Sequence, residues 1–270
     1  MILAMPGGEG IEVEEGYVTS LQHPFGLGLR VGKFKVPFGR ENAQHTHALP
    51  FIDRSLVGDA IFGEKGLNEV GIEASYLIPT PWYSLISLML LNGNNELLFD
   101  SPDAGDVAVA GDLSNVFDLS VNTTVELGLS MTAGRRGEAG TSEAAGARLV
   151  YKWRPVNNAN RRGAVVVLEA MWAHPAGSDD SANEPTGAYA YAQWRLARRW
   201  YVAGRYDILG EDAHLDRPTQ RGTLILTLAP TEFSALRLQT ASTILPDGDR
   251  DLSAFLQLNI TIGAHPAHAY

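Results

Sequence analysis

Short and long connections alternate without exception between the segments of this chain in which apolar and polar residues alternate. This regularity constrains the fold more than any other feature of the sequence. About thirteen segments of the 270 residues have the period-two alternation or the composition of β-strands. The predicted strands are Ile11–Leu21, Leu27–Val36, Leu67–Ile78, Trp82–Leu91, Leu113–Val121, Val125–Ala133, Ala145–Pro155, Ala164–Ala173, Gly187–Leu196, Trp200–Leu209, Arg221–Leu228, Phe233–Ser242 and Leu252–Ile262. Short connections such as Pro79–Pro81 alternate with longer polar ones such as Pro37–Gly66 and His174–Thr186. An up-and-down antiparallel barrel, with tight turns at one rim and longer loops at the other, produces this alternation.

The two faces of the predicted strands differ in polarity. Leu127, Leu129 and Met131 share one face of their strand, whereas Arg148 and Lys152 share the polar face of the next strand. An apolar face could line the core of a soluble all-β protein, but a face with many charges suits a water-filled lumen. The sequence therefore predicts an all-β, antiparallel up-and-down transmembrane β-barrel forming one domain over residues 1–270, with a soluble all-β protein as the alternative.

Aromatic residues lie close to the short connections. They are Trp82, Trp153, Trp194, Trp200 and Phe233. Tryptophan and other aromatic side chains concentrate where a membrane protein crosses from the hydrocarbon layer to water. Their positions therefore predict an aromatic girdle at the rim that carries the tight turns.

Composition excludes several classes of function. The mean hydropathy of -0.07 excludes a bundle of membrane helices, but a membrane barrel keeps a low average because lipid-facing residues alternate with polar ones. The absence of cysteine excludes disulfides and thiolate metal sites. A net charge of -10 without a basic stripe argues against a nucleic-acid partner.

The start of the sequence predicts a chain that is truncated at its N-terminus. Met1–Met5 is followed by the turn-like Gly7–Gly10 and resembles the end of a preceding strand, and no signal-peptide pattern is present. An odd number of antiparallel strands does not close in the usual way, and an open edge favours aggregation. We expect a complete barrel of about fourteen to sixteen strands, counting strands from the longer protein.

Three stretches, Gly32–Asp53, Arg199–Asp207 and Phe255–Tyr270, resemble outer-membrane proteins related to the phosphate-selective porin O/P family. Some relatives are described as zinc-regulated TonB-dependent outer-membrane receptors. The resemblance implies a Gram-negative outer-membrane barrel of about sixteen strands, often trimeric, in which a loop, here Pro37–Gly66, folds inward to narrow the pore. The chain departs from the family in having no TonB box, no plug and no dense arginine ladder, so phosphate selectivity is not implied.

A pore requires charged side chains along its lumen, and the predicted inward faces supply them. The predicted pore-lining residues are Lys33, Lys35, Glu69, Glu73, Glu126, Arg148, Lys152, Arg154, Arg195, Arg205, Asp207, Arg221 and Arg237. Cations outnumber carboxylates, which predicts a weak preference for anions. In the alternative interpretation the same charges pair across strands and only fill the lumen.

The spacing of His45 and His47 predicts that they point the same way from an extended segment, and Asp53 follows nearby. Imidazole and carboxylate groups can bind Zn²⁺, but this pair of histidines supplies only part of a ligand set. The alternative is a hydrogen-bonded anchor for the loop. A non-conducting barrel that binds a divalent metal or holds other envelope proteins is therefore the rival to a porin.

Catalysis is not expected. The sequence contains no Gly-x-Ser-x-Gly motif and no pattern of a catalytic triad. We predict no cofactor, and we expect the partners to be outer-membrane lipid and small solutes or ions.

Overall fold

The computed structural model contains one antiparallel sheet whose fourteen strands follow one another in chain order. It describes residues 2–4, 12–20, 26–45, 48–99, 107–177, 184–210, 217–231 and 233–260. The strands are β1 (Ile2–Ala4), β2 (Glu12–Ser20), β3 (Leu27–Lys35), β4 (Asn68–Leu77), β5 (Tyr83–Leu91), β6 (Ala108–Ser120), β7 (Thr123–Arg135), β8 (Thr141–Trp153), β9 (Gly163–His174), β10 (Thr186–Ala197), β11 (Trp200–Gly210), β12 (Thr219–Thr231), β13 (Ser234–Ile244) and β14 (Arg250–Ile260). Across the described ranges, pairing runs from β1 to β14 and no ladder joins these two strands to each other.

The predicted up-and-down antiparallel architecture is confirmed. Each of the thirteen predicted strands corresponds to one of β2–β14, and β1 is the short strand expected at the beginning. Two strands start four or five residues before their predicted bounds, β6 at Ala108 rather than Leu113 and β8 at Thr141 rather than Ala145. Their first residues are mostly alanine, glycine and small polar residues, which have weak strand propensity. They are recruited by pairing with β7, in which Gly134 lies opposite both Ala108 and Ser142.

The outward face of the sheet is apolar and exposed, whereas the inward face is polar and buried. On the outward face, Leu129 is 58% exposed and Leu256 is 72% exposed. On the inward face, Asp207 and Gln239 are both 0% exposed. Because side chains alternate along a strand, each strand contributes to both faces. The molecule is thus the reverse of a soluble globular protein, with charges inside and aliphatic side chains outside.

The connection between β3 and β4 lies against the inward face of the sheet. We call residues 36–67 the inner segment; within it, positions 46 and 47 are outside the described residues. It contacts β2 through His45, β7 through Gly39 and β13 through Ile52. A single segment can reach strands so far apart in the sheet only if the sheet curves around it.

A short helix inside the inner segment was not predicted from the sequence. Helix α1 (Leu56–Phe62) begins after Ser55, whose side chain accepts a hydrogen bond from the backbone N–H of Gly58. Val57, Ile61 and Phe62 are buried against the sheet. No helix in the described ranges has the length and apolar character needed to cross a membrane.

The inner segment brings its own apolar core into the polar interior. Phe38 and Phe62 pack edge to face with ring centroids 4.9 Å apart. Phe51 packs in the same way against Tyr191 of β10, at 5.6 Å. Such pairs add to the stabilisation from apolar burial. The segment is therefore a packed element of the fold.

Candidate functional site

Arg205 of β11 forms the centre of a buried ionic cluster that holds the inner segment. Its Nε lies 2.8 Å from the carboxylate of Asp207, and one terminal nitrogen lies 3.2 Å from the carboxylate of Asp53. It also donates hydrogen bonds to the backbone carbonyls of Asp53 and Arg54. Arg221 of β12 adds a second cation, 3.1 Å from Asp53. Each buried charge in this cluster therefore has an opposite charge nearby, which offsets its loss of water.

Backbone groups of the inner segment are satisfied by side chains of the same strands. The N–H of Ile52 donates to the side-chain oxygen of Gln239 at 2.8 Å, and the N–H of Leu56 donates to Asp207 at 3.1 Å. Arg237 donates to the carbonyl oxygen of Leu49. Buried backbone groups require such partners. β11 to β13 thus fix residues 49–56 in position.

A second ionic cluster surrounds Arg148 of β8. Its guanidinium lies 2.7 Å from Asp112 of β6 and 3.1 Å from Glu126 of β7. Ser130 donates to Asp112 at 2.7 Å and accepts the N–H of Gly39 at 2.9 Å. The cluster therefore ties three strands to the inner segment, and Arg148 is compensated by two carboxylates.

Gly39 lets the inner segment come close to β9. The carboxylate of Glu169 accepts the backbone N–H of Arg40 at 3.0 Å and the hydroxyl of Tyr189. Gly39 has a φ of 65°, and a Cβ at this position would lie 1.8 Å from Glu169. Only glycine combines this backbone conformation with the absence of a side chain.

His45 joins the inner segment to β2. Its Nδ1 lies 3.2 Å from Glu14, and its Nε2 lies 3.2 Å from Glu15. The hydrogen bond with Glu15, and the neighbouring charge of Glu14, raise the pKa of His45 above its ordinary value near 6.5. Two carboxylates on the two ring nitrogens suit the imidazolium form, in which both nitrogens donate.

Two of the three predicted metal ligands, His45 and Asp53, have different partners and are not brought together. Asp53 pairs with Arg205 and Arg221, whereas His45 lies against Glu14 and Glu15, and His47 lies outside the described residues. Among the residues that the structure describes, no group of three or more histidine or carboxylate side chains is arranged to hold a metal ion. The contacts of His45 agree with the alternative interpretation, a hydrogen-bonded anchor.

A cavity of about 270 Å³ lies near the short turns and has a cationic lining. Its five cationic residues are Arg40, Lys152, Arg154, Arg162 and Arg195. Its remaining lining residues are Trp153, Ala159, Gly163, Ala164, Val165, Gln193 and Tyr201, and none of the lining residues is acidic. We call this space the rim cavity. Lys152 lies 3.6 Å from Glu126, and in the described part of the chain the other four cations show no salt bridge.

Most predicted pore-lining residues lie on the inward face or at its ends. Ten of them stand at inward positions of their strands: Glu69, Glu73, Glu126, Arg148, Lys152, Arg195, Arg205, Asp207, Arg221 and Arg237. Lys35 is buried at the end of β3, near Glu14, and Arg154 follows β8 at the rim cavity. Lys33 is the exception, because it pairs with Val70, which is 50% exposed, and so belongs to the outward face.

The sequence did not single out Arg40, Arg162 or Asp112. Arg40 lies in the inner segment and Arg162 in the β8–β9 connection, where no alternation assigns a side chain to a face. Asp112 shares the inward face of β6 with Ala110, and the predicted strand began one residue after it. The signal that could have found Asp112 is its position opposite Ser130 in an antiparallel pair.

A larger depression of about 650 Å³ lies on the outward face. Its floor is formed by small residues, Ala147, Ala170, Ala188 and Ala190, between aliphatic walls. A surface of this kind offers contact to hydrocarbon and few groups that could orient a polar solute. The polar chemistry of the molecule is therefore concentrated in the interior and in the rim cavity.

Comparisons with known proteins place the chain only loosely. No family model matches it, so the resemblance to the phosphate-selective porin O/P family stays a prediction. An uncharacterised protein of Aquifex aeolicus (strain VF5) is 28% identical over 302 aligned positions, which cover 97% of this chain. The chain spans 64% of the length of that relative.

Two solved structures are similar at low level. The alignment with the KdgM porin covers 73% of this chain and 93% of the porin, with 6% sequence identity and a TM-score of 0.35. The KdgM porin in complex with disordered oligogalacturonate gives a TM-score of 0.34 at the same identity and coverage. These scores are too low to support a shared fold or function. The assignment of the fold therefore rests on the chain's own all-β, up-and-down sheet with an apolar outside and a charged inside.

Proposed function

We propose that the chain forms an outer-membrane pore through which small solutes diffuse passively, with a preference for anions. The observation that carries the proposal is the reversed polarity of the sheet. Leu129 and Leu256 are exposed outside, whereas Asp207 and Gln239 are buried inside. A monomeric soluble protein rarely exposes so continuous an apolar surface, whereas the outside of a membrane barrel requires one.

The lengths of the strands and the positions of the aromatic residues support the proposal that the sheet spans a bilayer. β5 to β14 have between 9 and 13 residues each, and about 9–11 residues in a tilted strand cross the hydrocarbon layer. Near the short turns, Trp82 packs against Phe117 and Trp153 against Trp194, with centroids 5.5 and 5.6 Å apart. Such a band of aromatic rings suits the boundary between lipid and water.

The inner segment is the proposed constriction. Its ionic and hydrogen-bonded contacts with β11 to β13, and the contacts of Gly39 and Arg40 with Ser130 and Glu169, hold it in the lumen. Charged groups beside a narrow passage act on a solute more strongly than they do in open water. A solute would pass beside the inner segment and meet the rim cavity on the side of the short turns.

The proposed anion preference comes from the cations that lack a carboxylate partner. Arg205 and Arg148 are compensated by carboxylates and add little field along the passage. Arg40, Arg154 and Arg195 line the rim cavity without a salt bridge in the described part of the chain. The selectivity is therefore assigned to these side chains, and the overall charge of -10 does not decide it.

Conductance tests the pore. The protein is refolded in detergent, checked for a heat-dependent shift on a gel, and added to a planar bilayer in KCl. We expect discrete current steps from the folded protein and none from a sample boiled beforehand. Folded protein that inserts and stays silent would contradict the proposal.

A non-conducting barrel is the second candidate, and the packing of the inner segment is the observation that favours it. Phe38, Phe51 and Phe62 form an apolar core inside the sheet, which occupies part of the lumen. Such a barrel would serve by binding a metal or by holding other envelope proteins. Silence in the bilayer together with Zn²⁺ binding that is lost in a variant with His45→Ala and His47→Ala would favour it.

A further inference from the structure

The connection between β5 and β6 also enters the interior of the sheet, where it meets the end of the inner segment. We call its residues 93–99, which follow Asn92 after β5, the strap. Leu98 and Phe99 are both 0% exposed and belong to the same apolar core as Phe62 of α1. The strap therefore packs beside the inner segment at the rim that carries the longer loops.

Asn95 joins the strap to the inner segment. Its side-chain amide donates to the carbonyl oxygen of Phe62 at 2.9 Å and to that of Gly66 at 3.4 Å. Phe62 is the last residue of α1, and the last carbonyl groups of a helix have no partner within the helix. Asn95 and Phe62 are both buried, so this bond supplies a partner that a buried carbonyl group requires.

The other contacts of Asn95 form the strap itself. Its side-chain oxygen accepts the backbone N–H of Leu98 at 2.9 Å, and its backbone carbonyl accepts the N–H of Phe99 at 2.8 Å. The N–H of Asn94 donates to the carboxylate of Glu69 in β4 at 2.9 Å. Asn95 thus has two separable roles, because its side-chain oxygen forms the turn of the strap and its amide nitrogen holds the inner segment.

Two glycines give the strap its place between the sheet and the inner segment. On the inward face of β7, a Cβ at Gly134 would lie 2.8 Å from the ring of Phe99. In the inner segment, a Cβ at Gly63 would lie 3.4 Å from the side chain of Leu97. The strap is therefore in close contact with both neighbours.

From these contacts we infer that the strap positions the constriction and that Asn95 is the positioning residue. The inference deepens the proposed function and rests on it, because it takes the inner segment as the constriction. The ionic clusters hold the middle of the inner segment, whereas Asn95 holds residues 62–66 at its end. Release of this end lets the inner segment move away from its narrow position, so the passage widens.

Thiol labelling in detergent tests the strap without requiring conduction. The chain contains no cysteine, so Leu98→Cys gives one buried thiol whose reaction with a maleimide reports opening of the strap. Asn95→Asp keeps the oxygen that accepts the N–H of residue 98, but it replaces the donor with an oxygen that repels the carbonyl groups of residues 62 and 66. In this background we expect labelling about tenfold faster or more, because loss of a buried partner shifts the local opening equilibrium by about that factor.

Asn92→Asp is the matched control. It adds the same charge just before the strap and keeps the oxygen that accepts the backbone N–H of Val70 at 3.0 Å. We expect its labelling rate at position 98 to stay within about twofold of the original background. A thiol from Ala241→Cys, on the buried inward face of β13, should react equally slowly in both backgrounds.

Current steps in a planar bilayer test the role in the constriction. Asn95→Asp should give larger steps than the original protein, and Asn92→Asp should give steps of the original size. Asn95→Gln keeps the donor and the acceptor on a longer side chain, so its steps should be closer to the original size than those of Asn95→Asp. A heat-dependent gel shift limits the comparison to variants that fold.

Two results would overturn the inference: equal labelling rates for Asn95→Asp and Asn92→Asp, or current steps of unchanged size in Asn95→Asp although position 98 labels faster. The second result would leave the pore and remove the positioning role of the strap. Labelling as expected in a protein that carries no current would contradict the pore, and the constriction with it, while the contact made by Asn95 would stand.

Discussion

Arg205 and Arg195 face the interior from neighbouring strands, yet they stand in opposite electrostatic settings. Arg205 of β11 has Asp207 and Asp53 within 3.2 Å, and its side chain is 0% exposed. Arg195 of β10 contacts a backbone carbonyl and a tyrosine hydroxyl, and a buried nitrogen is left without a partner. Arginine is thus neutralised by carboxylates at position 205, whereas at position 195 it has, among the described residues, only neutral partners and keeps its positive charge.

The difference separates the charges that hold the fold from the charges that can act on a solute. A buried arginine with two carboxylates has its field cancelled locally, and its removal leaves those carboxylates uncompensated. An arginine held by neutral groups keeps its field, and its removal costs fewer native contacts. A count of lumen charges mixes the two kinds, so it predicts neither stability nor selectivity well.

The largest expected effect on stability is at the compensated arginine. Arg205→Leu leaves Asp207 and Asp53 without their main cation and removes the bonds to residues 53 and 54 of the inner segment. We expect a loss of about 3–5 kcal/mol in the free energy of unfolding, the range for breaking a buried ion pair from one side. Urea titration of the refolded barrel, followed by tryptophan fluorescence, measures it.

The exposed Arg154→Leu is the matched control and should change the free energy of unfolding by about 0.5 kcal/mol or less. If both variants cost the same, the distinction between compensated and uncompensated arginines is wrong.

A smaller loss in the free energy of unfolding is expected from a substitution at Gly39, where the inner segment contacts β9. Gly39→Ala brings a Cβ against Glu169 at a positive φ, and should cost about 2–4 kcal/mol from backbone strain plus the displaced carboxylate. Gly26→Ala also has a positive φ, of 73°, but no atom within 4 Å of its Cβ, and should cost about 1–2 kcal/mol. Equal urea midpoints for the two variants would show that the contact with Glu169 is not close.

Substitution of the uncompensated arginines should have the opposite effect. We expect little change in the free energy of unfolding and a clear change in ion selectivity. We expect the double variant Arg154→Gln with Arg162→Gln to unfold within about 1 kcal/mol of the original protein, since both side chains are exposed. Its reversal potential in a KCl gradient should move toward that of a cation-selective pore. An unchanged reversal potential would mean that the field of the rim cavity does not reach the permeating ion.

The smallest effect is expected at His45, and it depends on pH. Because the pKa of His45 is raised in the folded protein, its contacts with Glu14 and Glu15 contribute fully below the ordinary value near 6.5 and are lost as pH rises through the folded pKa. Lys35 lies 3.5 Å from Glu14 and competes for that carboxylate. The difference in urea midpoint between the original protein and His45→Gln should therefore shrink from pH 5.5 to pH 8.5. A difference that grows with pH would contradict the contacts.

Alternation of apolar residues predicted the strands and their faces well, because it is a local property. Leu127, Leu129 and Met131 share the outward face as predicted, and the tight turns lie where short connections were read. The prediction failed near the end of β3. Lys33 was predicted to line the pore, but it pairs with Val70 and lies on the outward face.

The contacts of the inner segment could not be predicted, because they join residues far apart in the chain. Asp53 pairs with Arg205 and Arg221, and no local pattern distinguishes this carboxylate from a metal ligand near His45. Helix α1 is only 7 residues long, too short for a helical period to stand out between loops. Arg40 lies in the same segment, so its place in the lining of the rim cavity could not be predicted either.

The reversal potential of the protein in a planar bilayer under a KCl gradient tests the proposed function most directly. We expect discrete channels whose current reverses on the chloride side of zero, as uncompensated arginines beside a narrow passage require. A potential on the potassium side would be consistent with a pore but would contradict the role given to the rim cavity. It would indicate that carboxylates such as Glu69, Glu73 and Glu126 decide the selectivity. Folded protein that inserts and carries no current would contradict the pore itself.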